Sequence, residues 1–120
     1  VVDLICHSII SRSNAAANQI ANVVFHAADA SNLADRYRSA DELDVVVLDP
    51  PRTGHYQAAS QLLKLKPKRI LYVSCDPATL VRDLTPLVNG GYEVVSSQAF
   101  DLFPQTWHIE SMTLLQRVSP

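Results

Sequence analysis

Four side chains in this sequence are placed to do chemistry. Cys75 stands between an apolar run, Arg69-Ile70-Leu71-Tyr72-Val73, and a segment that reads as a helix from about Pro77. A thiol at a helix N-terminus feels the positive end of the macrodipole, which favours the nucleophilic thiolate. An isolated cysteine is more often a small buried apolar residue, but the strand-end position within Ser74-Cys75-Asp76-Pro77 shifts the balance toward a nucleophile. Asp49 ends the run Asp44-Val45-Val46-Val47-Leu48 and is followed by Pro50-Pro51, which stiffen the backbone around it. Its carboxylate can accept hydrogen bonds from a ring nitrogen or an amino group of a bound base or cofactor. A turn or cap aspartate is an equally weighted reading. Glu110, in Trp107-His108-Ile109-Glu110, enters the last strand near the same strand ends. A carboxylate against a bound base can remove a proton as general base, although a strand glutamate taken alone is more often solvent-facing. His108 is a second candidate base, with a surface or hydrogen-bonding histidine as its commoner reading.

The elements that must hold these residues follow from hydrophobic spacing. Val1 to Cys6 reads as a strand, Ser8 to Ile20 as a helix, and Val23-Val24-Phe25-His26 as a second short strand. Ser31 to Tyr37 is expected to hold a helical turn. Asp44 to Leu48 is the strongest strand, β-branched and stopped by two prolines. Tyr56 to Leu65 is an amphipathic helix that Pro67 ends. Arg69 to Val73 is a buried strand, and Pro77 to Val88 is a helix that Asn89-Gly90-Gly91 stops. Tyr92 to Ala99 and Ile109 to Val118 read as two strands with no helix between them, hence an antiparallel pair at one edge. Strands alternating with helices imply an α/β fold with a mostly parallel sheet covered on both faces. Ligands in such sheets bind beyond the carboxyl ends of the strands. Adjacent parallel strands would there set Asp49-Pro50-Pro51-Arg52 beside Ser74-Cys75-Asp76-Pro77.

Composition narrows the class without naming it. The 120 residues suit one domain, and 48% apolar against 18% charged is ordinary globular composition. A net charge of −2 gives no electrostatic footprint for nucleic acid, so any RNA reading rests on the site. Cys6 and Cys75 form no C-x-x-C pair, which argues against a zinc site or a disulfide framework and for a reduced, cytoplasmic compartment. No apolar run approaches the ~20 residues that span a bilayer, and Val1 to Ile10 lacks the basic start of a signal peptide. The chain opens on Val1, which reads as a fragment or a processed product.

The ordered set Leu48-Asp49-Pro50-Pro51-Arg52-Thr53-Gly54, Tyr72-Val73-Ser74-Cys75-Asp76-Pro77-Ala78-Thr79-Leu80, Asp101-Leu102-Phe103-Pro104 and His108-Ile109-Glu110 resembles the S-adenosylmethionine-dependent RNA uracil-5-methyltransferases. The likeness runs from about Asn18 to Val118, and the Glu110-Ser111-Met112 ending is closer to the ribosomal RNA enzymes than to the transfer RNA ones. The resemblance implies a partial Rossmann-like methyltransferase domain over residues 1–120, monomeric, acting on RNA with S-adenosylmethionine and no metal. It implies that Cys75 adds to carbon 6 of uracil, that carbon 5 then takes the methyl group, and that Glu110 removes the carbon-5 proton. It further implies that Asp49 lies against cofactor and uracil and that Asp29 binds the adenosine part of the cofactor. The target uridine would have to leave its stack to enter such a site.

Two features depart from the family pattern. Asp76 stands where many relatives carry Asn, a tolerable change because both residues cap helices. The glycine-rich turn that cradles the cofactor, and the strand before it, have no counterpart among Gly54, Gly90 and Gly91. Asp3 is the only acidic candidate for the ribose in the first strand, and it comes early in that strand. The isolated segment is therefore expected to be weakly active or inactive. Three other readings stay open. An amino-methylating nucleic-acid methyltransferase would use Asp49-Pro50-Pro51, although Arg52 stands where those enzymes have an aromatic residue. A cysteine hydrolase would pair Cys75 with His108 but lacks an assignable oxyanion turn. The third is a non-catalytic α/β interaction fragment.

Overall fold

The computed structural model describes residues 2–5, 9–27, 34, 37 and 43–118. The expected helical turn at Ser31 to Tyr37 falls largely outside these residues, as do Cys6 and Asp29. The chain divides into two compact units, Val1–Leu33 and Ala34–Pro120.

In the first unit, β1 (Val2–Ile5) and β2 (Val23–His26) form a parallel ladder from Val2↔Val23 to Ile5↔His26. The helix between them, α1, spans Ile9–Ala17 and stops short of the expected Ile20. The cause is local. Gln19 adopts a left-handed φ of 56°, its N–H donates to Ala16 O, and Ile20 N–H reaches back to Ala15 O at 2.9 Å. This pair of bonds closes a helix C-terminus without a glycine. Arg12 of α1 donates to Phe25 O at 2.6 Å and lies over the Phe25 ring, joining helix to strand.

The second unit holds a four-stranded sheet in the order β3 (Val45–Leu48), β4 (Arg69–Ser74), β6 (Glu110–Arg117), β5 (Tyr92–Phe100). β3 and β4 pair in parallel, from Val45↔Arg69 to Leu48↔Tyr72. β6 runs antiparallel to both β4 and β5, so β3, β4 and β5 share one direction and β6 alone is reversed. The expected antiparallel pair is thus present, with the last strand inserted beside β4. A register shift between Val94 and Ser96 breaks the β5–β6 ladder near its start.

Two helices cover one face of this sheet. α2 (Tyr56–Leu65) buries Ala58, Ala59, Leu62 and Leu65, the spacing of one helical stripe. It ends where Lys66 turns left-handed at φ 49° and Pro67 cannot continue the helix. α3 (Pro77–Asn89) buries Leu80, Leu84 and Leu87, with the charged Asp83 in the same stripe. Ile70, Tyr72, Tyr92 and Leu115 of the sheet are buried as well and complete the core. Fully burying a side chain such as Leu62, Ile70 or Leu115 contributes about 1.5–3 kcal/mol. The burial pattern of β4 alternates with the pleat, Ile70, Tyr72 and Ser74 inward. On the opposite face Val45, Val47 and Met112 stay exposed, so the described helices of this unit cover one face rather than the two expected.

Candidate active site

Cys75 lies in the turn from β4 to α3, and the sequence builds that turn from hydrogen bonds. Ser74 Oγ accepts from Asp76 N–H at 3.1 Å and donates to Asp76 O at 2.9 Å. Asp76, extended at φ −141°, is the N-cap of α3: its Oδ1 accepts from Thr79 N–H at 2.9 Å, and Pro77 fills the first helical turn. The Thr79 amide is the main cause that holds the Asp76 carboxyl below the ordinary aspartate value, with the Ala78 amide, the Thr79 hydroxyl and the Arg52 charge adding to it against desolvation. Cys75 is a free, half-buried thiol inside this rigid turn.

Glu110 opens β6 opposite Phe100 of β5. Next to it, Ser111 pairs with Ser74, and Ser111 Oγ donates to Ser74 O at 3.1 Å. The antiparallel register therefore brings Glu110 and Cys75 to the same end of the β4–β6 ladder, each one residue past its last pair.

The segment after β3 is fixed from α3. Thr79 Oγ1 donates to Arg52 O at 3.1 Å, Arg82 Nη2 to Thr53 O at 2.8 Å, and Asp83 Oδ2 accepts from His55 N–H at 2.6 Å. Gly54, at φ 71°, closes the turn with an N–H to Pro51 O bond of 2.8 Å, and a Cβ there would run into the Asp83 carboxylate. Asp83 is buried and also accepts from Tyr72 Oη at 2.6 Å and from Arg82 at 2.7 Å. Burial first, and then the Asp83 carboxylate, push the Tyr72 hydroxyl pKa well above its ordinary value.

These supports meet at a cleft of about 280 Å³ lined by Arg52, Cys75, Phe103, His108 and Glu110. This size is just below the roughly 300–1,000 Å³ of sites for drug-sized ligands and suits a single base. Arg52 Nη2 lies 2.6 Å from His108 Nδ1. A guanidinium can only donate, so in this arrangement Nδ1 accepts and Nε2 carries the imidazole proton. Phe103 meets the His108 ring edge-on at 6.3 Å.

The structure thus brings together three of the four candidate residues, Cys75, His108 and Glu110. Asp49 is exposed just past β3 and is not among the cleft-lining residues. Its carboxylate makes no hydrogen bond among the described residues, which leaves it open to a ligand's donor groups. Asp29 lies outside the described residues. Sequence reasoning assigned no place in the site to Phe103 and none to Asp83. The signal for Asp83 was a charged residue at helical spacing within the stripe of Leu80, Leu84 and Leu87. Among the described residues no group of three His, Cys, Asp or Glu side chains is placed to hold a metal ion, and no helix is long and apolar enough to cross a membrane.

A sheet of three like-directed strands with a reversed β6, and a cleft at the strand ends, is the C-terminal part of a Rossmann-like methyltransferase fold. The chain belongs to the tRNA (uracil-5-)-methyltransferase family, whose model matches residues 7–118. It is 46% identical over 110 residues to a 23S rRNA (uracil(1939)-C(5))-methyltransferase RlmD of Mannheimia succiniciproducens, covering 91% of this chain and 25% of that protein. It is 47% identical over 109 residues to an uncharacterized RNA methyltransferase of Enterococcus faecalis, covering 89% of this chain and 24% of that protein. Among solved structures, the tRNA (uracil-54, C5)-methyltransferase of Pyrococcus abyssi, in complex with S-adenosyl-L-homocysteine, superposes with a TM-score of 0.73 at 34% identity. That superposition covers 88% of this chain and 25% of that one. The chain spans about a quarter of the length of the curated relatives it matches.

Proposed function

We propose that this chain carries the nucleophile-bearing part of an enzyme that methylates carbon 5 of a uridine in RNA, ribosomal RNA before transfer RNA, with S-adenosylmethionine as methyl donor. The observation that carries the reading is the meeting of the Cys75 thiol and the Glu110 carboxylate in one base-sized cleft. The names of the similar proteins support it: the Mannheimia relative acts on 23S rRNA and the Pyrococcus neighbour on tRNA. An enzyme that modifies such RNA works where that RNA is assembled, so a cytoplasmic location goes with the reading.

Carbon 5 of neutral uracil is a poor nucleophile. Addition of Cys75 Sγ to carbon 6 creates an enolate and makes carbon 5 nucleophilic. The cofactor, when bound, supplies an electrophilic methyl group on a sulfonium. Glu110 then takes the proton from carbon 5, the ring electrons re-form the 5,6 double bond, and the Cys75 thiolate leaves. The Nε2–H of His108 is available as a hydrogen-bond donor at the same cleft, because Arg52 occupies Nδ1. Asp49, with its open carboxylate, is the described residue suited to accept from uracil N3–H or from an amino group of the cofactor. Cys75 in the cleft disfavours the amino-methylating alternative, which requires no thiol.

The test uses the whole protein that contains this segment and RNA tritiated at uridine carbon 5. Tritium release matched by 5-methyluridine formation is the expected result. Methylation of an exocyclic amino group, with no tritium release, would overturn the reading.

A further inference from the structure

Trp107 is the only tryptophan in the chain and is 77% exposed at the rim of the cleft. Its ring lies against His108, centroids 4.0 Å apart and planes inclined by 35°, and the Arg52 guanidinium sits 5.1 Å from its centroid. His108 and Arg52 both line the cleft that holds Cys75. A large aromatic side chain normally buries most of its area, and here it forms a planar shelf beside the nucleophile. Arg52 makes no ion pair among the described residues, and beyond its pull on the Asp76 carboxyl its charge can also serve an anionic partner.

Single-stranded RNA matches this surface in both respects. Unstacked bases are recognised by stacking on aromatic side chains and on arginine planes, and the backbone brings the negative charge. The cleft suits one base, so a nucleotide next to the one inserted must lie outside it. Extrusion of a base also deprives its neighbours of a stacking partner. We propose that Trp107, backed by His108 and Arg52, is the stacking shelf for the base adjoining the target uridine. This inference rests on the uridine reading of the cleft and adds a subsite to it.

The probe is a fluorescein-labelled single-stranded nonaribonucleotide with a central uridine flanked by adenosines, bound to the whole protein and followed by anisotropy. Loss of one base–aromatic stack is expected to weaken binding about tenfold in Trp107→Ala, whereas Trp107→Phe keeps most of the affinity. Replacing one flanking adenosine, on the 5′ or the 3′ side, by an abasic residue should weaken the wild type by a similar factor and Trp107→Ala hardly at all. If each abasic probe weakened the wild type and Trp107→Ala by equal factors, no base would stack on Trp107 and the proposal would be overturned. The readout is binding, so its failure is separate from failure of methyl transfer, which the tritium-release measurement reports.

Discussion

Cys75 and Glu110 each stand one residue beyond the Ser74↔Ser111 pair that ends the β4–β6 ladder, and both line one cleft. This relationship depends on β6 being the reversed strand. Its first residue, rather than its last, then comes to the carboxyl end of β4. The strand that leads into Cys75 and the strand that begins at Glu110 are joined by ladder hydrogen bonds, not by flexible loops.

Glu110→Gln should separate the two halves of the reaction. The variant keeps the size and hydrogen bonding of the side chain but not its basicity, so it should still add to carbon 6 and then fail to lose the carbon-5 proton. Turnover should fall by about 10²–10⁴-fold, with a covalent protein–RNA species accumulating on denaturing gels. Undiminished turnover would remove Glu110 from the mechanism.

Gly54 and Asp83 should be coupled. Gly54→Ala imposes a left-handed backbone on a residue with a Cβ, at about 1–2 kcal/mol, and also pushes that Cβ into the Asp83 carboxylate. Asp83→Ala strands the Tyr72 hydroxyl and the His55 amide, at about 1–3 kcal/mol for a buried unsatisfied group. Denaturant unfolding of both single variants and the double variant should show that the losses do not add, because the carboxylate that clashes is gone in the second. Additive losses would mean that the loop is not held through Asp83.

The N-cap gives an expectation for pH. The folded-state carboxyl of Asp76 titrates below its unfolded value, so its contribution is present above the ordinary aspartate range near ~3.9 and is lost as pH falls through the lowered value. Asp76→Asn keeps a capping oxygen without a titrating group. The gap between the melting curves of wild type and variant should therefore be steady from pH 7 down to the ordinary aspartate range and narrow as the pH is lowered below it. A constant gap between the two at every pH would show that the cap does not titrate.

Much of this fold was legible because it is written locally. The stripe of Ala58, Ala59, Leu62 and Leu65 followed by Pro67 defines α2 to the residue. Val23 to His26 is equally explicit. The end of α1 was missed because Gln19 takes a left-handed turn that its residue type does not announce. In the site, Cys75 and Glu110 could be read from motif order. The contact of Arg52 with His108 spans 56 residues and depends on two loops meeting, which no local pattern encodes. Asp83 stands within the apolar stripe of α3, and its buried role emerges only once the Gly54 turn is packed against that helix.

The most direct measurement is covalent trapping. RNA carrying 5-fluorouridine at the target position cannot release a carbon-5 proton, so addition and methyl transfer should leave the whole protein bonded to RNA through Cys75. Wild type should give a heat-stable adduct whose mass includes one methyl group, and peptide mapping should place the RNA on Cys75. Cys75→Ala should give none. An adduct formed equally well by Cys75→Ala, or mapped to another residue, would contradict the assignment of Cys75 as the nucleophile.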